Sequence, residues 1–195
     1  INVPFRRLTK CPFGAYNQGM NTDEIVIGRA AESDIPAIGA LLVQVNNVHS
    51  ALRPDLFRMN GRKYTDEALI SLLRDETRPV FAARLRGVLV GYAFCIRQKR
   101  AGADGRESAT LYIDDLCVDE RMRGTGIGRT LFAHVLAYAR ESGCYNVTLN
   151  VWNGNEAALR FYKDMGLHIQ KYGMELVLYC KGKIRTTPLA ESFRH

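Results

Sequence analysis

No apolar run in the chain reaches the ~18 residues that a membrane-spanning helix requires, so no membrane partner is expected. Residues 1–19 have no apolar h-region, so a secretory leader is not expected either. The five cysteines are odd in number and scattered, and none forms a C-x-x-C pair. That spacing argues against a disulfide framework and against a zinc site. Reduced thiols, a cytoplasmic location and no bound metal are the expectations. The bulk of the chain also has little net charge. Of the +7 total, Arg6, Arg7 and Lys10 put three charges in residues 1–19, and Lys181, Lys183, Arg185 and Arg194 less Glu191 put three more in residues 180–195. The remainder is nearly neutral, which argues against a nucleic-acid partner. The sequence shows no repeats or low-complexity segments, and no second domain is expected within it. The expected organisation is an appended leader over 1–19 (Met20 reads like a natural start), one domain over 20–180, and a basic tail over 181–195.

What is present is concentrated at residues 121–128, Arg-Met-Arg-Gly-Thr-Gly-Ile-Gly. Gly124, Gly126 and Gly128 let backbone approach a guest closely, and an amphipathic helix begins just after them. A helix N-terminus aims unpaired N–H groups at one point and attracts anions, a pyrophosphate above all. A Walker A loop does not fit: Gly124 and Gly128 are too close, and Arg129-Thr130 stands where Lys is needed. A dinucleotide fingerprint does not fit either, because Arg129 replaces its third glycine and the strand around Val147, Leu149 and Val151 ends without an acid. A turn that only caps a helix is the plainer alternative.

Periodicity orders the rest. Strands are expected over 24–30, 79–85, 88–96, 110–118 and 145–152, and helices over 35–53, 66–73, 127–142 and 155–165. Arg86-Gly87 marks a hairpin, 99–107 reads as a polar loop, and 168–172 with 174–179 reads as a closing hairpin. The order β-α-α-β-β-β-α-β-α-β-β predicts an α/β fold. Its centre is a mixed, mostly antiparallel sheet of about seven strands with helices on both faces. Within 110–118 the pattern slips: Leu111 and Ile113 are apolar on one parity, Leu116 and Val118 on the other. One extra residue inserted as a β-bulge accounts for such a slip. Asp114 and Asp115 sit at it, inside an otherwise apolar strand. Parity points them to opposite faces unless the bulge turns both inward.

Arg123-x-x-Gly126-x-Gly128, followed in register by Arg129-Thr130-Leu131, resembles the Arg/Gln-x-x-Gly-x-Gly/Ala signature of the GCN5-related N-acetyltransferases (GNAT family). So do 111–120, Leu-Tyr-Ile-Asp-Asp-Leu-Cys-Val-Asp-Glu; then Asn153-x-Asn155; then 158–163, Ala-Leu-Arg-Phe-Tyr-Lys, closing on Gly166-Leu167. The resemblance covers residues 111–178 and, more loosely, 23–178. It implies acetyl-CoA as cofactor, an amine acceptor of small-molecule, polyamine or protein origin, and a homodimer. Backbone of Leu116, Cys117 and Val118 would hold the pantetheine arm. Backbone of Arg123, Gly124, Thr125, Gly126, Ile127, Gly128 and Arg129 would hold the pyrophosphate, with Asn153 and Asn155 on the arm.

Amine acetylation needs a neutral amine, so a carboxylate must attract the ammonium and take its proton. Asp114 is the first choice for that base; Asp115 is second choice or a substrate anchor. Both remain open to the plainer role of acids bonded to neighbouring backbone or arginines. A carboxyl half-buried beside apolar walls should have a raised pKa. The resemblance makes Tyr162 the proton donor to the departing thiolate, though its position also suits a core aromatic. Asn155 also suits a simple N-cap. Cys117 could support an acyl-cysteine route only with a lowered pKa and a nearby base, and reads as strand filler. His134 falls on a polar helix face and is expected to be solvated. The segment after the first helix supplies His49, Asp55 and Tyr64 as candidate acceptor contacts, each with loop-ordering as the plain alternative. Two rival readings stand beside the enzyme: a CoA-binding module without catalysis, and a nucleotide- or RNA-binding domain.

Overall fold

The computed structural model describes residues 24–101 and 107–178. The expected leader over 1–19 and tail over 181–195 lie outside the described residues. Five strands form one sheet: β1 (Ile25–Arg29), β2 (Val80–Leu85), β3 (Val88–Ala101), β4 (Glu107–Val118) and β5 (Asn146–Leu149), in the order β1-β2-β3-β4-β5. All neighbours are antiparallel except β4 and β5, which run parallel. Four α-helices accompany them: α1 (Ile35–Leu52), α2 (Asp66–Leu73), α3 (Ile127–Glu141) and α4 (Glu156–Asp164).

Local chemistry sets several boundaries. Thr65 caps α2 by accepting from the Ala68 N–H at 3.2 Å, and Asp66 and Glu67 follow in the first turn, where the helix dipole favours acids. Asn155 caps α4 by accepting from the Ala158 N–H at 3.2 Å. Ahead of α1, Asp34 accepts from the Ala31 N–H at 2.7 Å and pairs with Arg84 across the sheet edge.

The sheet separates two apolar clusters. On one face Ile35, Ile38, Leu41 and Leu42 of α1 and Leu69 and Leu72 of α2 meet Val80, Tyr92, Phe94 and Cys117. On the other, Ile127, Leu131, Phe132, Val135 and Ala139 of α3 meet Phe81, Ala93, Cys95, Leu111 and Ile113, with Phe161 and Tyr162 of α4 packed alongside. Residues 32–52 are long and apolar enough, by length and composition, to cross a membrane. That character is what the α1 face of the core requires.

Two expectations change. Of the expected 99–107 loop, residues 99–101 and Glu107 are strand, pairing running on from Arg97↔Leu111 to Ala101↔Glu107, and residues 102–106 lie outside the described residues. Main-chain hydrogen bonds carry the ladder past the point where apolar alternation stops. The closing hairpin over 168–179 is not formed in 168–178, and Tyr179 lies outside the described residues. Among the described residues the sheet therefore has five strands, not the expected seven. Alternation at Tyr172, Met174 and Leu176 marks a face suited to burial, but these residues stand 81%, 93% and 82% exposed. A period of two specifies a face; a strand also needs a partner edge, and 168–178 pairs with neither terminal strand of the sheet, β1 or β5.

Candidate active site

The site begins with one unpaired residue. In the β3–β4 ladder Phe94 faces Asp115 and Cys95 faces Ile113, so Asp114 is the extra residue of a bulge. The bulge restores phase. Leu111 and Ile113 before it and Leu116 and Val118 after it all join the α3-side cluster. Asp114 and Asp115 both turn to the α1–α2 side.

There the two acids have different partners. Asp114 accepts from the Lys63 ammonium at 2.8 Å and from the Tyr64 hydroxyl at 2.8 Å. Its side chain is 17% exposed and that of Lys63 42%. The Arg78 guanidinium donates to the Tyr64 hydroxyl at 3.4 Å, extending the chain of contacts. Asp115 accepts from the Tyr92 hydroxyl at 2.9 Å. Desolvation dominates at Asp115 and pushes its carboxyl up to about 6; the Tyr92 hydrogen bond and the Lys63 charge pull the other way. The raised carboxyl expected of the pair thus falls on Asp115.

Beyond the bulge, β4 loses one neighbour. Its parallel pairing with β5 ends at Ile113↔Leu149, while its antiparallel pairing with β3 continues to Val118. Backbone from Leu116 to Val118 is therefore laddered on one edge only. Unpaired main-chain groups on such an edge require a partner. The loop after it ends at the N-terminus of α3, whose cap residue Gly126 has φ 91° and offers no side-chain cap. The first turn's earliest bond runs from the Thr130 N–H to the Gly126 carbonyl at 3.1 Å. The N–H groups of Ile127, Gly128 and Arg129 have no intrahelical acceptor. Side chains leave this point clear: Ile127 is fully buried, and Gly128 lies where a Cβ would come within 3.5 Å of the Phe161 ring. An uncapped helix end, a glycine loop and an opened strand edge fit a long ligand with a pyrophosphate at one end.

The arginines and Thr125 make local contacts. Arg121 pairs with Asp119 at 2.7 Å, Arg123 donates to the Val118 carbonyl at 3.3 Å, and the Thr125 hydroxyl donates to the Met122 carbonyl at 2.6 Å. Arg129 remains 43% exposed beside Asp164 at 3.8 Å.

Tyr162 packs on the α3 side against Phe132 and Phe161, with ring centroids at 5.9 and 5.1 Å. Burial raises its hydroxyl well above the ordinary tyrosine value, and Asp115 is the next contributor, placing the two within electrostatic reach. Asn155 is the α4 cap described above, and Asn153 is exposed. Cys117 is buried, 3.7 Å from the Leu41 carbonyl, and burial pushes its thiol up to about 12. That removes the thiolate an acyl-cysteine route needs.

Among the acceptor candidates, Tyr64 joins Asp114. His49 packs at 5.3 Å against Phe57, and burial with the Lys63 charge lowers its imidazole pKa. Asp55 is held by both ends of the Arg53 guanidinium, at 2.9 and 2.7 Å. Arg53 also reaches Glu175 at 2.8 Å and lies 5.4 Å from the Trp152 ring. His134 corrects an expectation: it lies edge-on to Phe81 at 4.9 Å, and burial lowers its pKa. Sequence reasoning missed Lys63 and Tyr92. Lys63 lies in a loop without periodicity. Tyr92 gave a signal, a lone hydroxyl in an apolar strand that has to find a partner. Among the described residues, no three His, Cys, Asp or Glu side chains gather to hold a metal ion.

A family model described as the acetyltransferase (GNAT) family matches residues 43–167. The chain is 33% identical over 99 residues to glucosamine 6-phosphate N-acetyltransferase of Trypanosoma brucei brucei, a match covering 51% of this chain and 64% of that protein. It is 37% identical over 121 residues to mycothiol acetyltransferase of Thermobispora bispora, covering 55% of this chain and 40% of the relative. The chain thus spans less than two thirds of the length of either curated relative. Among solved structures, the mutant BH1408 protein from Bacillus halodurans superposes with a TM-score of 0.74 at 29% identity, covering 79% of this chain and 99% of that one.

Proposed function

The chain belongs to the acetyltransferase (GNAT) family, and on that basis we propose that it is an N-acetyltransferase that moves an acetyl group from acetyl-CoA to a primary amine by direct attack in a ternary complex. The observation that carries this reading is the bulge: it presents two carboxylates beside the place where β4 and β5 part. Bound acetyl-CoA supplies the acetyl thioester. Its pyrophosphate would rest on the N–H groups of Ile127, Gly128 and Arg129, and its arm along Leu116, Cys117 and Val118.

The chain's own groups supply the rest. Asp114 draws in the acceptor's ammonium and takes its proton. Asp115, which keeps its own proton up to about pH 6, adds a second negative charge above that pH and strengthens the hold on the cation. Tyr162 keeps its proton at neutral pH and donates toward the departing sulfur, as a general acid must. The names of the two relatives, one for glucosamine 6-phosphate and one for mycothiol, support an amine acceptor without fixing which amine.

The test is a panel of primary amines (amino sugars, polyamines, aminoglycosides and a lysine peptide) assayed for thiol release from acetyl-CoA. At least one member should be turned over. Tyr162→Phe should slow that member about a hundredfold at unchanged acetyl-CoA affinity. Acetyl-CoA binding with no member turned over would replace this reading with that of a binding module.

A further inference from the structure

We propose that Lys63 occupies the seat of the acceptor amine and is itself acetylated by the site, making it a self-modification position that governs access to Asp114. The inference rests on the acetyltransferase reading above. Lys63 Nζ is 2.8 Å from Asp114 Oδ2 and 3.5 Å from the Asp114 carbonyl oxygen. A primary ammonium therefore already sits on the carboxylate that an incoming amine must reach. Other groups surround it. The Lys63 and Asp115 charges act on each other, and the positive charge of Lys63 lowers the pKa of His49. Lys63 belongs to the irregular segment between α1 and α2, and its side chain keeps substantial exposure. It is not locked in a core, so its Nζ can swing from Asp114 toward the opened edge of β4.

The step balances with acetyl-CoA as the only co-reactant. Asp114 takes a proton from the Lys63 ammonium. The neutral Nζ attacks the thioester carbonyl carbon, a C–N bond forms, the C–S bond breaks, and the second proton of the attacking nitrogen passes to the departing thiolate, giving the free thiol. The product is an amide without charge. It leaves Asp114 with the Tyr64 hydroxyl and no cation, open to an external amine. Since the ion pair favours the protonated lysine, the reaction should accelerate with rising pH.

The experiment incubates the whole protein with acetyl-CoA in the absence of any amine, with peptide mass spectrometry over time. Lys63 should gain an acetyl group at least about tenfold faster than the exposed Lys163 and Lys171, a modest share of what intramolecular placement provides. The rate should not depend on protein concentration, and Asp114→Asn should slow it about tenfold or more. A second readout needs no donor and survives poor folding of the Asp114 variant: a simple alkylamine should raise the melting temperature of Lys63→Met more than that of the parent. Lys63 acetylated no faster than the other lysines, or equal amine shifts in both proteins, would overturn the inference. If amines on the panel are turned over while Lys63 stays unmodified, this inference falls and the enzyme reading stands. If neither reacts, both fall.

Discussion

Asp115 is the residue where burial and charge conflict most. Its only described hydrogen-bond donor from another side chain is the Tyr92 hydroxyl, and its pKa of about 6 lies above the ordinary value of 3.8. The folded state therefore holds the proton more tightly than the unfolded chain. Stability conferred by that proton is complete below about pH 4 and is lost as pH rises through about 6. Asp115→Asn keeps an acceptor for Tyr92 and never ionises. It should stabilise the protein by about 1–2 kcal/mol near pH 8 and change little near pH 4, read by urea unfolding at each pH. An equal effect at both pH values would mean that the Asp115 charge is not the cause. Two neighbouring acids thus separate by partner: one is held in an ion pair with Lys63, the other is desolvated against Tyr92.

The elements turn those residues into a site. Gly126, at φ 91°, lets the chain turn directly into α3 without a side-chain cap. Gly143, at φ 68°, plays the matching backbone role at the other end of the same helix. A β-branched residue at either position costs about 1–3 kcal/mol of strain. Gly126→Val and Gly143→Val should therefore lower the melting temperature alike. Only Gly126→Val should also raise the KM for acetyl-CoA, by about tenfold, the effect of losing one or two backbone donors to a charged ligand. Equal KM values in the two variants would detach the helix end from the cofactor. The sequence made this element legible because glycine spacing and helix onset are local signals. The bulge was legible for a similar reason: a break in a period of two is visible at Ile113 and Leu116. The contacts of Lys63 and Tyr64 with Asp114 were not, because they join residues 51 and 50 positions apart across a loop whose path no local pattern sets. The closing hairpin was over-read because the alternation at 172–178 specifies a face and says nothing of what covers it.

At the scale of the whole molecule, one sheet serves two separate cores, and the site lies where β4 carries groups toward both. The α1–α2 cluster and the α3 cluster share no residue among those described, and the strands of the sheet run between them. The expectation of helices on both faces came from the order of elements, and both clusters bear it out. Which acids would share a face with which core depended on the bulge. A sheet packed on both sides should unfold as one unit, because neither layer of helices can keep its apolar face buried without the strands. Ile38 is fully buried in the first cluster and Ile113 nearly so in the second. Ile38→Val and Ile113→Val should each cost about 1 kcal/mol. With no shared neighbours, the double variant should lose about the sum, to within about 0.5 kcal/mol. Urea unfolding followed by tyrosine fluorescence and by far-ultraviolet circular dichroism should give coincident transitions with unchanged slope in all three variants. Separated transitions would show that the layers melt independently. The carboxylates at the bulge and Tyr162, which belong to opposite layers, would then lack the common frame that the proposed acetyl transfer requires of them.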